Sequence, residues 1–462
     1  MITENSNLLL AYYGDDFTGS TDALEFLTRA GIKTVLFIEP PNSAQLARYE
    51  GLQAIGVAGM TRSMSPTEME KTLRPAFTAL RALGVRHVHY KVCSTFDSSP
   101  VIGSIGKAID IGVAVFKAAF VPVLVAAPAL GRYCAFGNLF ARMGIGSMGQ
   151  IFRLDRHPSM SKHPVTPADE SDLRLHLGRQ TNKRIGLIDI LQIAGDESLC
   201  TEKLTNLVDS GAEIVLFDAL YEDQLTTIGK LIDGYASNDH PLFSVGSSGI
   251  EMALGKYWTS EGLLHPQEKW ADAGEASPLL VISGSCSPVT SAQISWALEN
   301  GFSDIGIAAE VVSGNDNTEL IADYIKEAVT LLRQRTSVII HTSKGNDDAR
   351  MDETYRILSD KGLSKSEINS ETSRLYGTVL GQIARTVAGE KLVKRILIAG
   401  GDTSSYAARA MGIEAVEMIA PISPGAPLCK AYAPGSPVDG LEVNFKGGQV
   451  GGDGYFGLVR KG

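Results

Sequence analysis

Two aspartates, Asp15 and Asp16, stand side by side where an apolar run gives way to a Gly/Thr/Ser turn in LLLAYYGDDFTGSTDALEFL. Adjacent carboxylates repel, so ordinary packing does not ask for the pair. One of them can orient a hydroxyl or take its proton. Phosphoryl transfer needs little more than that alignment, a base, and positive charge or Mg2+ on the moving group. In YKVCSTFDSS, Lys91, Ser94 and Thr95 can clamp an anion with Asp97 in support, and Cys93 sits in the turn as a packing or substrate-contact residue. In GMTRSMSP, Arg62 offers a planar fork that suits a carboxylate. Blander roles stand beside each: one aspartate paired with Lys91 or an arginine and the other capping a helix, Lys91 lying along a strand edge, Arg62 on the surface.

Three segments repeat one design, an apolar strand, a Gly/Ser/Thr/Asp turn, then a helix: LLLAYYGDDFTGSTDALEFL, LLVISGSCSPVTSAQISWAL and RILIAGGDTSSYAARAMG. Such turns lie at the carboxyl ends of parallel strands, where ligands bind. Glycine allows close approach, and the N–H groups of a first helical turn can hold phosphate or carboxylate. The third segment suits a nucleotide best: Gly400 and Gly401 bare the backbone, and Asp402, Thr403 and Ser404 can cap the helix. GGQVGGDG, at 447–454, adds another flexible backbone surface or a set of tight turns. The chain has no GxxxxGK[ST], and no GxGxxG opens a helix after the first strand. His157 and His163 lack metal-site spacing, which argues against zinc. Cys286, at a helix start, favours a thiolate without a clear covalent task.

The elements that must position these groups alternate: strand-like runs such as KTVLFI, LQAIGVAG, RHVHYKV and VPVLVAAPA are separated by helical spacing. That predicts an α/β protein with mostly parallel sheets covered on both faces. The rhythm breaks over 132–170, a Gly/Pro-rich excursion of loops or short strands, and again at 262–278, a polar linker. With 462 residues, the expectation is two three-layer α/β domains, 1–262 and 279–462, with a cleft between them. A net charge of -10 disfavours nucleic acid and acidic membrane as partners but not a small anion held by local donors. Five scattered cysteines form no framework. The N-terminus lacks a signal-peptide pattern, and the first apolar run is too short to span a membrane, so a cytoplasmic location is expected.

Taken in order, GDDFTGSTD, YKVCSTFDSS, HPVTP, GSCSPVTSAQ, GGDTSSYAARAMGI and KGGQVGG resemble the four-carbon acid sugar kinase family over nearly the whole chain. The resemblance implies an N-terminal α/β domain for a sugar acid and a C-terminal α/β domain for ATP, with Mg2+. It assigns the sugar acid to Asp15, Asp16, Arg62, Lys91 and the Cys93-Ser94 turn. It assigns ATP to Ser283 or Ser285, to Gly400, Gly401, Asp402 and Thr403, and to the loop at Gly447 and Gly448. Either aspartate can be the base; Asp16 is preferred here because Asp15 is expected to hold a helix N-terminus or Lys91. No metal ligands are assigned, and a homodimer is compatible with the reading. The chain departs from the family pattern at Ser99-Pro100-Val101-Ile102-Gly103, at APALGRYCAFGNLF and in a longer stretch near NDDARMDETYRILSDKGLSKSEIN. These departures suggest a branched or oxo acid, such as 3-oxo-isoapionate, in place of an ordinary tetronate. The expectation is an ATP-dependent kinase of a small sugar acid. The rivals are a non-catalytic nucleotide or sugar-acid binding protein and an oxidoreductase or aldolase of sugar acids.

Overall fold

The computed structural model describes residues 8–143, 149–163, 165–314, 317–345 and 347–462. Pro164 of the HPVTP motif, part of the 132–170 excursion and one residue of the longer C-terminal stretch lie outside these. The chain divides into two compact units, Met1–Glu268 and Lys269–Gly462.

The strands of the first unit are β1 (Leu10–Gly14), β2 (Thr34–Phe37), β3 (Ala54–Ala58), β4 (His87–Lys91), β5 (Val121–Leu124), β6 (Arg132–Ala135), β7 (Asn138–Arg142), β8 (Ile151–Arg153), β9 (Ile185–Ile188), β10 (Ile214–Phe217) and β11 (Leu242–Gly246). Eight of them run parallel in the order β2-β3-β1-β4-β11-β5-β10-β9. Every residue of β1, β3, β4 and β11 is buried, as expected of strands covered on both faces. Tyr13, Phe77, Tyr90, Phe116 and Phe243 stack and meet edge-on in the core, with ring centroids 5.2 to 6.3 Å apart. The 132–170 excursion contains a small antiparallel sheet, β6-β7-β8.

Register is what matters for the site. Gly14 pairs with Ala58 and Lys91, and Lys91 pairs with Gly246, so four strands end in one row. The order also reverses at β1, since β2 and β3 lie to one side of it and β4 to the other. That is the switch point where open parallel sheets leave a crevice.

In the second unit the strands are β12 (Leu280–Ser283), β13 (Phe302–Gly306), β14 (Ser337–His341), β15 (Arg395–Ala399), β16 (Ala415–Ser423), β17 (Ala426–Tyr432) and β18 (Glu442–Lys446). The strands β13-β14-β12-β15-β18 are parallel, and β17 and β16 extend the order antiparallel. Ser283 is level with His341 and Ala399, and Ala399 with Lys446. Val281, Ile294, Ile339, Leu397, Phe456 and Val459 belong to the core of this unit. Among the described residues no helix is long and apolar enough to cross a membrane.

Candidate functional site

The turn after β1 is shaped by close approach. A Cβ on Gly14 would lie 1.9 Å from the Ser20 Oγ, so only glycine lets the strand end against the first turn of the helix Phe17–Arg29. Asp16 caps that helix: its Oδ1 accepts from the Gly19 N–H at 2.8 Å, and its Oδ2 accepts from the Thr18 hydroxyl at 2.9 Å. The capping aspartate is thus Asp16. Asp15, for which capping or Lys91 pairing was the expectation, is gripped instead by Arg62, from Nε at 3.2 Å and Nη2 at 2.8 Å. The Nη1 of Arg62 reaches the Asp16 Oδ2 at 2.9 Å. One guanidinium therefore neutralises the repelling pair. Its fork is filled by aspartates and is not an empty seat for a carboxylate.

Both aspartates are almost fully buried. Burial drives the Asp15 pKa upward; Arg62 opposes this and Asp16 reinforces it, and the result is about 6. Lys91 ends β4 and is also buried; its Nζ donates to the Val92 carbonyl at 3.0 Å and lies 3.5 Å from the Asp22 Oδ2. Burial alone would lower its pKa, but the acidic groups around it, Asp22 foremost, outweigh that and raise it. Gly19 is the floor on which these groups converge. A Cβ there would meet the Asp16 Oδ1 at 2.4 Å, the Lys91 Nζ at 3.5 Å and the Arg62 Nη2 at 3.6 Å. Cys93 lies beside this row with its Sγ 3.0 Å from the Thr95 hydroxyl, and burial pushes its thiol up to about 11. A thiol held neutral is a contact residue and not a nucleophile. Ser94 is buried in the same turn.

Beneath the row is a polar layer that motif reading passed over. The Ser248 hydroxyl donates to the Asp22 Oδ2, and the Glu251 Oε1 lies 3.6 Å from the His89 Nε2 with both side chains fully buried. Burial raises Glu251 to about 8 and lowers His89 to about 3, so both are neutral at pH 7. Asp22 and Glu251 face inward from helices, and only the tertiary packing brings them under Lys91.

The second unit gathers its candidates in the same way. The helix Asp402–Ala410 begins at Gly401 with no side-chain cap, so Asp402, Thr403 and Ser404 do not cap it; Ser404 instead donates back to the Gly400 carbonyl. Its first-turn N–H groups keep no side-chain acceptor at the cap. Gly400 adopts φ 149°, and a Cβ on Gly284 would lie 2.3 Å from the Thr403 Cγ2, so β12 and β15 turn against each other with no space to spare. Ser285 bonds the Thr290 hydroxyl at 2.9 Å, while the buried hydroxyls of Ser283, Ser343 and Ser405 have no partner among the described residues. Gly448 accepts from the Ser287 hydroxyl at the head of the helix Pro288–Glu299, and Gly447 accepts from the Lys446 Nζ at 3.0 Å. Lys446 is fully buried, and its other contact is the Thr290 Oγ1 at 3.0 Å. Burial pushes its ammonium down to about 7. Neither of these Lys446 contacts is a carboxylate.

Residues 10–254 match the family described as the sugar-binding N-terminal domain, and residues 280–456 match the nucleotide-binding C-terminal domain. The 3-oxo-isoapionate kinase of Paraburkholderia graminis is 41% identical over 459 residues, which is 99% of this chain and 95% of that protein. The chain belongs to the four-carbon acid sugar kinase family. The 3-oxo-tetronate kinase of Methylobacterium radiotolerans is 28% identical and covers 98% of each chain. A solved Salmonella typhimurium LT2 protein described as a tRNA synthase shares the fold, with TM-score 0.75 at 24% identity over 97% of this chain and 98% of that one.

As in the family's two-domain plan, the strand-end row of the first unit lies within the sugar-binding match and that of the second within the nucleotide-binding match. Beside Gly284 and Thr403, a pocket of about 190 Å³ continues past Ser343 to Met351, Ile368 and Tyr376. Among the described residues no group of three or more His, Cys, Asp or Glu is placed to hold a metal. Lys446 and Glu251 had a weak signal in sequence: each adjoins a glycine-containing turn at a strand end, KGGQVGG and VGSSGIE.

Proposed function

We propose that the chain is an ATP-dependent kinase that phosphorylates a hydroxyl of a small sugar acid. The observation that carries this is the pair of strand-end rows, one per unit. The first concentrates Asp15, Asp16, Arg62 and Lys91 on the floor at Gly19; the second holds Lys446 with unpartnered hydroxyls at glycine turns.

Asp15 is the base in this reading. Each of its oxygens accepts one bond from Arg62 and keeps a lone pair, whereas Asp16 accepts three, from Thr18, Gly19 and Arg62, and is fixed as the helix cap with a free lone pair on Oδ1 alone. A pKa of about 6 also suits a base working near neutral pH. Asp16 fixes the turn, and Arg62 fixes both carboxylates. Lys91 donates to the acceptor sugar acid, with Cys93 and Ser94 lining the same row. In the second unit the Gly400–Thr403 turn, Ser283, Ser285 and the loop at Gly447 and Gly448 would hold the triphosphate, and the pocket toward Tyr376 would take the base. The fit rests on the orphaned Ser283 and Ser343 hydroxyls and on the close turn at Gly284. Bound Mg2+ would spread the phosphate charge during transfer, and it is usually held by phosphates and water with few protein ligands.

The relative named for 3-oxo-isoapionate, together with the divergent SSPVIG and APALGRYCAFGNLF stretches, favours a branched or 3-oxo acid as substrate. The test is an ATP-consumption screen with four- and five-carbon aldonic and 3-oxo-aldonic acids, the product identified by mass. Gain of one phosphoryl group on one acid is the expected result. Binding without turnover across the panel, or nicotinamide-dependent oxidation of an acid, would overturn the kinase reading.

A further inference from the structure

With the Arg62 fork closed by its own aspartates, the sugar-binding unit needs another group for the carboxylate of its substrate. Arg132 has the required geometry. It opens β6 directly after the turn Pro128–Leu130 and is 6% exposed. Its main chain pairs with Ala127 in both directions, at 3.0 and 3.2 Å. Ala127 lies just beyond β5. There the Ser247 hydroxyl donates to the Val125 carbonyl at 2.8 Å, and Gly249 packs so closely that a Cβ would lie 2.2 Å from the Ala126 carbonyl. Arg132 is therefore tied to the strand-end row that carries Ser248, Asp22 and Lys91.

The guanidinium is held from one side only. Nη1 donates to the carbonyls of Leu130, Gly131 and Arg142 at 3.1, 3.3 and 3.2 Å. Nε is buried without a partner, and Nη2 also has none among the described residues. Nε and Nη2 form the edge whose two parallel N–H bonds match the two oxygens of a carboxylate. In Arg62 that same edge grips Asp15, at 3.2 and 2.8 Å. In Arg132 it has no such carboxylate, although Cys93, Asp97 and Asp22 are near enough to act on its charge. A buried Nε donor is costly to leave unmade, and three backbone carbonyls hold the guanidinium in place.

We propose that the Nε/Nη2 edge of Arg132 binds the carboxylate of the sugar acid, so that Arg132 sets the preference for an acid over an uncharged sugar. This rests on reading the first unit as a sugar-acid site. It gives the two arginines different tasks: Arg62 organises the aspartates, and Arg132 recognises the substrate's charge.

The experiment takes the acid selected by the ATP-consumption screen and its primary amide, and measures the KM of each with wild type, Arg132→Lys and Arg132→Gln. Wild type should prefer the acid. Arg132→Lys keeps the charge but loses the paired edge, and its KM for the acid should rise about tenfold. Arg132→Gln should raise it about 30-fold or more. Both variants should keep the wild-type KM for ATP and lose most of the acid-over-amide preference. Should Arg132→Gln fail to fold, Arg132→Lys decides, with the melting shift on adding ATP as the check on its fold. An unchanged KM for the acid in Arg132→Lys, or equal use of acid and amide by wild type, would overturn the assignment while leaving the kinase reading standing. Failure of wild type to act on any acid would overturn both.

Discussion

Replacing Glu251 with glutamine should cost little at neutral pH and should remove a specific pH dependence of stability. Glu251 is fully buried, 3.6 Å from the neutral His89, and burial holds its carboxyl at about 8 against an ordinary 4.5. Between those values the folded chain keeps a proton that the unfolded chain has already lost. Stability from this group is therefore greatest at low pH and falls as pH rises, by about 1.4 kcal/mol per unit. Integrated from about pH 5.5 to pH 8, the loss is about 3 kcal/mol. Glutamine copies the shape and polarity of the protonated acid and does not titrate. Urea denaturation of wild type and Glu251→Gln, run side by side across that range, should show the variant gain on wild type by this amount toward pH 8. A difference that stays flat would mean that Glu251 is already ionised in the native state. The positive charge of Lys91 would then be spent on Glu251 below the site, and its place as a donor to substrate would fail with it.

Asp15→Asn should lower turnover by about 10²-fold or more while leaving ATP affinity intact. Asp16→Asn, which retains a good helix cap, should fall less far; the reverse order would exchange their roles. Because Asp15 must be ionised to accept a proton and its pKa is about 6, kcat/KM should decline as pH falls through that value. Lys446, pushed down to about 7 by burial, should regain its proton against the triphosphate. Calorimetry at pH 8 in buffers of different ionisation heat should find uptake of close to one proton on ATP binding, abolished in Lys446→Gln; no uptake in wild type would remove Lys446 from the nucleotide site. Gly284→Ala, whose Cβ would lie 2.3 Å from Thr403, should weaken ATP binding and spare the acid; Gly19→Ala, whose Cβ would lie 2.4 Å from the Asp16 Oδ1, should do the opposite. Equilibrium binding of each ligand by itself separates the two cases.

The alternation of apolar runs with helical spacing was enough to read two α/β series and their mostly parallel sheets, because strands buried on both faces leave an unbroken apolar signature. The turns that matter, GDDFTG, YKVCST and AGGDTSS, were legible for a related reason: close approach at a strand end excludes side chains, and only glycine and small polar residues remain. The hairpin of β16 and β17 was missed although its turn, Pro424-Gly425, is local; what the sequence could not show is that it extends the parallel sheet beside β18. Nor were the roles within the turns legible. Whether Asp15 or Asp16 caps the helix is settled by the Gly19 N–H and by where Arg62 arrives from 46 residues away. That Arg62 is filled and the Arg132 edge is open is a matter of partners brought together by packing, which no local spacing encodes. Residue types and periodicity therefore determined which strand ends close on glycine and polar turns. Burial, register and the pairing of distant charges decided which of those groups are paired with one another and which way their protonation is pushed.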